Sequence, residues 1–387
     1  MKKLKYLFFA MPLFLVACFT PPTPEVELTN PDTDLTTIIP LSNDAPWTYF
    51  RTALPFVASE VRGLVLPPLN NRADIEQAEM SLLRIAADTF NPEEYYFRDG
   101  QTLTADLVAS VLQVYNPEID NHRGLNPELG SELSFNGITL TSTAESPIRP
   151  LIYILEQNFV TFSEEDNSFH LEGAAIAIAL NPYHHVIDRS IGYENEYRMS
   201  DDEIISIGQR IAANLLPHLR NQEGLEDVPI ILGLFILRAS NEVIPGHFAS
   251  VTHIEEGRSS IDSWDSVHER HLRLPDNTNA IHVYDVEFND QFNAFSNHIN
   301  THFPHQHSMV ASAHIVAGNI YHIDITFNMN FRGAAEKIAF HQLLEEQVMT
   351  SFSPTYNIVI TVRNPSTIHG VVTRPANGEA FVKMISQ

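Results

Sequence analysis

Two uninterrupted apolar runs, each of strand length, enclose an amphipathic helical segment near the middle of the chain. The runs are EGAAIAIALNPY at residues 172–183 and DVPIILGLFILRA at residues 227–239. A strand with no polar side belongs in the interior of a sheet that is covered on both faces. Between the runs, Ser200 and Glu203 form a capping-box pattern, which predicts the start of a helix. Pro217 predicts a kink or an early end of that helix. The segment as a whole predicts a β-α-β unit.

A second β-α-β pattern follows in the C-terminal part of the chain. The stretches MVASAHIV and YHIDITFN flank Gly318-Asn319, a dipeptide typical of hairpin turns. A helix with Phe340 and Val348 on its apolar side follows, and YNIVITV, HGVVT and AFVKMI then have the composition of strands. The hairpin is preceded by a predicted amphipathic helix whose apolar stripe is Phe288, Phe292, Phe295, Ile299 and Phe303.

Helical spacing dominates the region before the first unit. Three stretches are predicted to be helices: DIEQAEMSLLRIAADTF, TLTADLVASVLQVY and SPIRPLIYILEQNF. The predicted class is therefore α+β, with two β-α-β-containing units that have mixed or antiparallel sheets, preceded by an N-terminal helical segment. A polar stretch near residues 260–279 marks the predicted boundary between an N-terminal α+β domain at 47–270 and a C-terminal α+β domain at 275–387.

The first residues of the chain have the order of features found in exported lipoproteins. Lys2, Lys3 and Lys5 precede the apolar run from Tyr6 to Val16. This run is shorter than the roughly 20 residues that a membrane-spanning helix needs, and it matches the apolar region of a signal peptide. Cys18 follows, and the sequence LVAC resembles the bacterial lipobox. We therefore expect residues 1–17 to be a lipoprotein signal peptide, cleaved before a cysteine that carries diacylglycerol.

Residues 18–46 predict a disordered tether between this anchor and the folded part. The segment is rich in Pro, Thr, Asp and Asn and has too little apolar surface to offset its ordering entropy. Cys18 is the only cysteine in the chain. If it carries lipid, no thiol remains for catalysis or for a disulfide. The remaining chain is long enough to fold around a core without disulfides.

The charge of the chain excludes one class of partner. With 23 basic against 48 acidic residues, the formal net charge is −25. A surface this acidic repels nucleic acid and anionic lipid headgroups. We therefore predict no nucleic-acid binding, and the membrane contact is expected only through the diacylglycerol on Cys18.

One motif resembles a zinc-peptidase helix but departs from it. In NEVIPGHFASVTH, Asn241 stands where such a motif has its first histidine, and asparagine is a poor zinc ligand. Glu242, His247 and His253 could still meet in space. However, Pro245-Gly246 shortly after a predicted strand is typical of a turn. The sequence favours the turn.

Histidines are frequent, and two groups have spacing that could suit a metal. His298 and His302 are four residues apart on the predicted phenylalanine helix, and His305 and His307 follow. A solvated polar face explains this group equally well. His268 and His271 form a second pair, but nothing nearby in the sequence completes a ligand set. We predict no metal and no cofactor, and the chain has neither a Gly-rich phosphate loop nor a Gly-x-Ser-x-Gly elbow.

Several phrases resemble the CamS family, the sex pheromone precursor lipoproteins of Gram-positive bacteria. They are YFRTALPFVASEVRGL, FRDGQTL, GLNPE, SPIRPLIYILEQNF, EGAAIAIALN and DVPIILGLF, in this order after the lipobox. The resemblance implies an extracytoplasmic lipoprotein that is lipid-anchored to the cell membrane and processed by the signal peptidase for lipoproteins. The family has no established activity for the lipoprotein body, so the resemblance implies a non-enzymatic protein and carries over no catalytic residue.

The resemblance also implies a secreted heptapeptide, trimmed from the signal peptide and ending just before the lipidated cysteine. The family heptapeptide is Ala-Ile-Phe-Ile-Leu-Ala followed by Ser or Ala. The matching positions here are Met11, Pro12, Leu13, Phe14, Leu15, Val16 and Ala17. The sequence MPLFLVA departs from the family peptide, so the activity of this peptide as a pheromone does not follow from the resemblance.

Two other functions remain open for the body of the protein. One is a degenerate zinc peptidase built on Glu242 and His247. The other is a ligand-binding lipoprotein that uses a cleft between the two β-α-β units. The sequence names neither a ligand nor a protein partner.

Overall fold

The computed structural model describes residues 37–38, 50–67, 72–118, 123–188, 193–239, 242, 244–276, 278, 280–304 and 307–385. Within these ranges the chain has two large β-sheets, two separate hairpins and five α-helices. The chain from Thr36 to Gln387 forms one compact unit. The predicted α+β class with mixed sheets is confirmed.

The first sheet has eight strands. In spatial order they are β1 (Thr37–Ile38), β2 (Arg51–Leu54), β3 (Tyr96–Asp99), β6 (Leu151–Ser163), β7 (Ser168–Leu180), β10 (Ile230–Ile236), β11 (His247–Ile254) and β12 (Asp265–Ser266). Hairpins outside this sheet pair β4 (Glu132–Phe135) with β5 (Ile138–Thr141), and β8 (Tyr183–Asp188) with β9 (Tyr193–Arg198). The helices of this half are α1 (Arg72–Ala86), α2 (Ala105–Val111) and α3 (Asp201–Arg220).

The predicted β-α-β unit forms the centre of the first sheet. Strands β7 and β10 are parallel, and α3 connects them. Alternate residues of the two strands pack on opposite sides: Ile176 lies in the cluster under α3, and Ala177 lies in the cluster under α1. Because helices cover both faces, the strands have no polar side, which explains their uninterrupted apolar sequence.

Helix α3 begins as the sequence predicts. The Ser200 side chain accepts from the backbone N–H of Glu203, and the Glu203 side chain accepts from the backbone N–H of Ser200. The apolar stripe is buried from Ile204 to Leu219. Pro217 does not end the helix, which continues to Arg220. A proline in the last turn removes a single helical hydrogen bond, so the helix tolerates it.

The third predicted helix is wrong. The stretch LIYILEQNF lies in β6, a strand of thirteen residues that pairs with β3 on one side and β7 on the other. Ile152, Leu155 and Phe159 match helical spacing, which caused the error. Nine of the thirteen residues of the strand are buried, because both faces of the sheet are covered. The buried residues include the polar Glu156, Gln157 and Asn158, so the apolar run is interrupted and the short pieces that remain do not separate a strand from a helix.

The second sheet has six strands. In spatial order they are β13 (Glu269–Leu274), β14 (His307–Val316), β15 (Asn319–Met329), β16 (Asn357–Asn364), β17 (Thr367–Arg374) and β18 (Phe381–Met384). The helices of this half are a 3₁₀ turn (Ala280–Val283), α4 (Phe288–His302) and α5 (Ala334–Thr350). The predicted hairpin β14–β15, the phenylalanine helix α4 and the unit β15–α5–β16 with parallel strands are all confirmed.

Only one face of the second sheet is covered by its own helices. Ile323, Ile325 and Phe327 of β15 pack with the apolar sides of α4 and α5. The alternating residues on the other face are polar and partly exposed, including His322 and Asp324. This is the half-buried pattern that the sequence of β15 predicts.

The two sheets change over between Ser266 at the end of β12 and Glu269 at the start of β13. The division into domains at 47–270 and 275–387 stays a prediction. Of the predicted tether at 18–46, only Thr37–Ile38 lie within the described residues, and they pair with β2. In the described part of the chain, no helix is both long enough and apolar enough to cross a membrane.

Candidate functional site

A buried carboxylate lies where α1, the first sheet and the second sheet meet. Glu269 is the first residue of β13, and its Oε1 lies 2.6 Å from His314 Nε2 of β14. The Ser81 hydroxyl of α1 donates to the same oxygen at 2.6 Å. The backbone N–H of Phe248 in β11 donates to Glu269 Oε2 at 3.3 Å. One side chain thus joins three elements that are far apart in the sequence.

The charge of this carboxylate is balanced by α1. Arg84 Nη2 lies 3.2 Å from Glu269 Oε1, and Gln77 donates to the same oxygen at 3.4 Å. Burial acts to raise the pKa of Glu269, but the hydrogen bond and charge of His314, with the charge of Arg84, lower it to about 2. Glu269 is therefore ionised at neutral pH and is a poor proton acceptor.

Strand pairing and helix periodicity bring these side chains together. His271 lies two residues after Glu269 on the same face of β13, and it pairs directly with His314 of the neighbouring strand. The two imidazole rings stack with their centroids 4.2 Å apart. On α1, Ser81 and Arg84 follow Gln77 by four and seven residues, which places all three on one side of the helix.

His271 is the unusual member of the cluster. The residue is 5% exposed, and its Nε2 has no hydrogen-bond partner among the described residues. Burial lowers the pKa of His271 to about 3, and the neighbouring charge of His314 acts in the same direction. The ring is therefore neutral at physiological pH and has a nitrogen lone pair for a ligand.

A cavity of about 310 Å³ opens beside the cluster. Its walls include Ser81 and Arg84 of α1 on one side, and His314, His322 and Thr373 of the second sheet on the other. The cavity thus lies between α1 and the polar face of the second sheet. It gives small polar molecules or ions access to the edge of the cluster.

A second buried acid lies at the other end of α1. Asp74 is 1% exposed and accepts from the backbone N–H of Gly246 at 2.6 Å. Burial raises the pKa of Asp74 to about 6, against the lowering effects of that hydrogen bond and of the charge of Arg238. The hydroxyl of Tyr153 is buried nearby with no hydrogen-bond partner among the described residues. Burial raises the pKa of Tyr153, and the charge of Asp74 raises it further.

The structure does not assemble the peptidase-like set. His247 pairs with Ile236, on the α3 side of the first sheet, whereas His253 pairs with Ile231, on the α1 side. A bulge in β11 after Phe248 places the two histidines on opposite faces. Glu242 lies 3.9 Å from Arg238 in an ion pair. Asn241 lies outside the described residues, and Pro245-Gly246, predicted to be a turn, directly precede β11.

The two histidine groups singled out in the sequence lie in different environments. The rings of His298 and His302 stack on α4 with centroids 4.5 Å apart, on its exposed side. His305 and the side chain of His307 lie outside the described residues. The pair His268 and His271 separates, because His268 is exposed while His271 is buried in the cluster.

Sequence reasoning missed the cluster around Glu269. It dismissed His271 because no ligand partner is near it in the sequence. His314 and Ser81, which contact Glu269, are 45 and 188 residues away from it in the sequence. The only available signal was strand alternation, which places Glu269 and His271 on one face of β13 but does not identify the facing strand.

The residues predicted for the lipid anchor and the peptide, Cys18 and Met11–Ala17, lie outside the described residues. The structure therefore tests neither the lipid anchor nor the peptide.

Comparison with known proteins places the whole folded part in one group. A protein-family model matches residues 56–380, with the description CamS sex pheromone cAM373 precursor. The chain is similar to a solved structure of a sex pheromone precursor from Lactobacillus salivarius subsp. salivarius UCC118, with a TM-score of 0.78 and 18% identity over 91% of this chain and 99% of that chain. It is also similar to the C-terminal domain of the sex pheromone staph-cAM373 precursor from Staphylococcus aureus, with a TM-score of 0.65 and 22% identity over 82% of this chain and 98% of that chain. No curated protein sequence matches. The two structures share the fold of this chain.

Proposed function

We propose that this chain, which belongs to the CamS family of sex pheromone cAM373 precursors, is a surface lipoprotein whose signal peptide yields a short secreted peptide. The observation that carries this proposal is the order of charge, apolar run, small residue and cysteine that ends at Cys18. Cleavage before Cys18 divides the precursor into two products, a fragment ending at Ala17 and a lipid-anchored body.

The anchor keeps the body on the outer side of the cell membrane. Each buried CH₂ of an acyl chain contributes about 0.8 kcal/mol to membrane binding, so the two chains of a diacylglycerol hold firmly. The body has 20 basic and 48 acidic residues, because the first 17 residues contain three lysines and no acid. An acidic body is repelled by anionic headgroups, so lipid supplies the attachment.

Replacing the cysteine tests the anchor. The variant Cys18→Ser should remain an unprocessed precursor without lipid, measured by mass spectrometry of the intact protein and by fatty-acid labelling. The matched control Thr20→Ser, two residues downstream, should be processed and lipidated as the natural protein is. Processing and lipidation of the Cys18→Ser variant at that bond would show that the lipobox assignment is wrong.

The released peptide is proposed to be MPLFLVA, from Met11 to Ala17. It is apolar and charged only at its termini, so an apolar receptor groove can bind it. Pro12 fixes one backbone angle and removes one amide donor, and Phe14 lies one position later than the phenylalanine of the family peptide. A receptor with a pocket at a fixed position should therefore discriminate between the two peptides.

Two assays test this part of the proposal. Mass spectrometry of the culture medium should detect MPLFLVA, and its absence would contradict release. Synthetic MPLFLVA should not replace the family peptide in a pheromone-response assay. A full response at the concentrations at which the family peptide acts would contradict the expected discrimination.

A second role, ligand binding by the body, is favoured by the cavity between α1 and the polar face of the second sheet. The cavity has about the smallest volume typical of small-molecule sites, and Arg84, His314 and His322 converge on it. Apolar side chains such as Met80 and Ile358 also line the cavity, so it suits a small ligand with both apolar and polar groups, held by binding alone. We expect no hydrolytic activity on peptide substrates, and a measured turnover that depends on Glu242 or His247 would favour the peptidase alternative.

A further inference from the structure

We propose that Glu269, His271 and His314 bind a divalent transition-metal ion of the zinc type at the junction of α1, β11 and the second sheet. The inference goes beyond the proposed function and does not depend on it, because it concerns neither the anchor nor the peptide. The residues come from two neighbouring strands of one sheet.

The geometry of the three side chains suits a metal. One possible ligand atom from each residue lies within 4.8 Å of the other two, and all three residues are buried. Zinc bonds of about 2.0–2.2 Å in a tetrahedral arrangement place ligand atoms roughly 3.4 Å apart. The Glu269 Oε1 and His314 Nε2 atoms lie 2.6 Å apart. A metal would replace the proton between them, and these two atoms would separate by less than an ångström.

The donor types also suit a metal of this class. Two imidazoles and one carboxylate are a His₂Glu set, and zinc and related ions bind such sets with a further position open. His271 Nε2 is buried and without a hydrogen-bond partner among the described residues. A buried nitrogen in this condition is destabilising in the absence of a ligand. Metal binding at the cluster would account for a ring that strand pairing alone leaves unsatisfied.

The surroundings supply the outer support that metal sites require. The Ser81 hydroxyl and the Phe248 backbone N–H donate to the two oxygens of Glu269, which fixes the orientation of the carboxylate. The cavity of about 310 Å³ includes His314 in its wall, so an ion can enter and a small ligand can reach the open position.

Arg84 competes with the metal for the same carboxylate. Its guanidinium lies 3.2 Å from Glu269 Oε1 and neutralises the charge when no ion is bound. Arg84 is partly exposed, with a side-chain exposure of 20%, so it can move toward solvent. Removing this competing charge with Arg84→Gln should strengthen metal binding by about tenfold or more, because a nearby positive charge repels the ion.

Cobalt titration of the full-length protein in detergent tests the site. Co²⁺ gives visible absorption when it is held by few ligands, and it substitutes for zinc in nitrogen and oxygen sites. After chelator treatment and dialysis, the natural protein should bind one Co²⁺ per chain with a visible band, and zinc should displace it. The variants His271→Asn and His314→Gln should lose the band.

The exposed pair on α4 provides a matched control. The double variant His298→Gln, His302→Gln removes two stacked histidines from the surface and should keep the band. Arg84→Gln should keep the band with a lower dissociation constant. Circular dichroism and the melting temperature report whether each variant is folded.

Three results would overturn the proposal. They are no stoichiometric Co²⁺ binding by the natural protein, a band that persists in folded His271→Asn or His314→Gln, and a band that is lost only in the α4 double variant. If the cluster variants do not fold, the natural protein and Arg84→Gln decide. Binding that is unchanged or weakened in Arg84→Gln would then place the metal elsewhere.

Discussion

The two sheets of the molecule repeat one arrangement of strands with different outer faces. In the first sheet, β6, β7, β10 and β11 pair in the order antiparallel, parallel, antiparallel. In the second sheet, β14, β15, β16 and β17 pair in the same order, with a helix between the parallel strands in both. We interpret the two units as a diverged repeat, which the weak sequence similarity between them conceals.

The units differ in what lies on the face away from the connecting helix. In the first unit this face carries small residues such as Ala177 and Gly233, and α1 covers it. The ring of Phe248 lies so close to Gly233 that a Cβ there would be 2.6 Å from it. In the second unit the corresponding face carries His322 and Asp324 and is partly open. The outer face of the first unit is therefore covered by close packing, while the outer face of the second unit presents polar groups that can bind a ligand.

Helix α1 serves both units. Leu82 and Ala86 are fully buried and pack in the cluster against the first sheet. Ser81 and Arg84, on a neighbouring side of the helix, reach Glu269 at the edge of the second sheet. The candidate site thus lies where the covered face of one unit meets the polar face of the other.

Matched substitutions on the two outer faces should have the most different effects on stability. Ala177→Asn places an amide in the closed face, where it must displace neighbours and lose its water. We expect a loss of about 4 kcal/mol in the free energy of unfolding. Thr326→Asn, on the open face, should change it by less than about 0.5 kcal/mol. Denaturant unfolding measures both, and similar losses would contradict a difference between the faces.

The next effect concerns the junction of the units. Glu269→Gln removes the charge that Arg84 and His314 share and should cost about 3 kcal/mol, because a buried pair loses one partner. The control Glu255→Gln removes an ion pair with Arg258 in which both side chains are more than half exposed. It should cost less than about 1 kcal/mol. Unfolding in the presence of a chelator separates this effect from metal binding. Equal losses for Glu269→Gln and Glu255→Gln would contradict a stabilising role of Glu269 at the junction of the units.

Asp74, on the same helix α1, should have a smaller effect on the free energy of unfolding, and this effect depends on pH. Its pKa in the folded protein is raised to about 6 from 3.8, so the folded state takes up this proton more readily than the unfolded state. The resulting stabilisation is present at low pH and is lost as the pH rises through about 4 to 6. Relative to Asp74→Asn, the natural protein should lose about 2 kcal/mol between pH 4 and pH 7.

The comparison with Asp74→Asn is needed because many other carboxylates titrate in the same range. The asparagine oxygen can still accept from the Gly246 N–H, so the hydrogen bond is kept. Unfolding measured at several pH values gives the difference between the two proteins. A difference that does not change with pH would show that Asp74 has an ordinary pKa.

The two connecting helices differ in how their first turns are capped, and substitutions at the caps should have modest effects. Helix α3 has a capping box at Ser200 and Glu203, whereas α5 begins after Gly333 with no side-chain cap. Ser200→Ala should cost about 1 kcal/mol, and Gly333→Asp should gain a few tenths of a kcal/mol. No atom lies within 4 Å of a Cβ at Gly333, so the new side chain has room. A gain in the free energy of unfolding from Gly333→Asp as large as the loss from Ser200→Ala would contradict this expectation.

Local sequence patterns predict much of the fold. The first β-α-β unit follows from its two uninterrupted apolar runs, and the second from its hairpin and the apolar side of its helix. The start of α3 follows from its capping box. The strand β6 could not be predicted because three buried polar residues, Glu156, Gln157 and Asn158, interrupt its apolar run, and its large apolar residues lie at helical spacing. The repeat could not be predicted either, since the sequence does not show the order in which strands pair.

The candidate site could not be predicted from local sequence patterns, for a different reason. Glu269 and His271 are close in the sequence, but His314, Ser81 and Arg84 reach them only through strand pairing and helix docking. The sequence favoured a turn over a peptidase site at Pro245-Gly246. In the structure His247 and His253 lie on opposite faces of the first sheet. It gave no reason to choose His271 over the more conspicuous pair on α4.

The most direct test is a crystal structure of the protein grown with zinc and measured on both sides of the zinc absorption edge. We expect one anomalous peak among Glu269, His271 and His314, with Arg84 turned away from the carboxylate. Such a peak would support the claim that the polar junction beside the second unit is a binding site. A structure with no anomalous peak at the cluster, or with a peak only at His298 and His302, would contradict that claim.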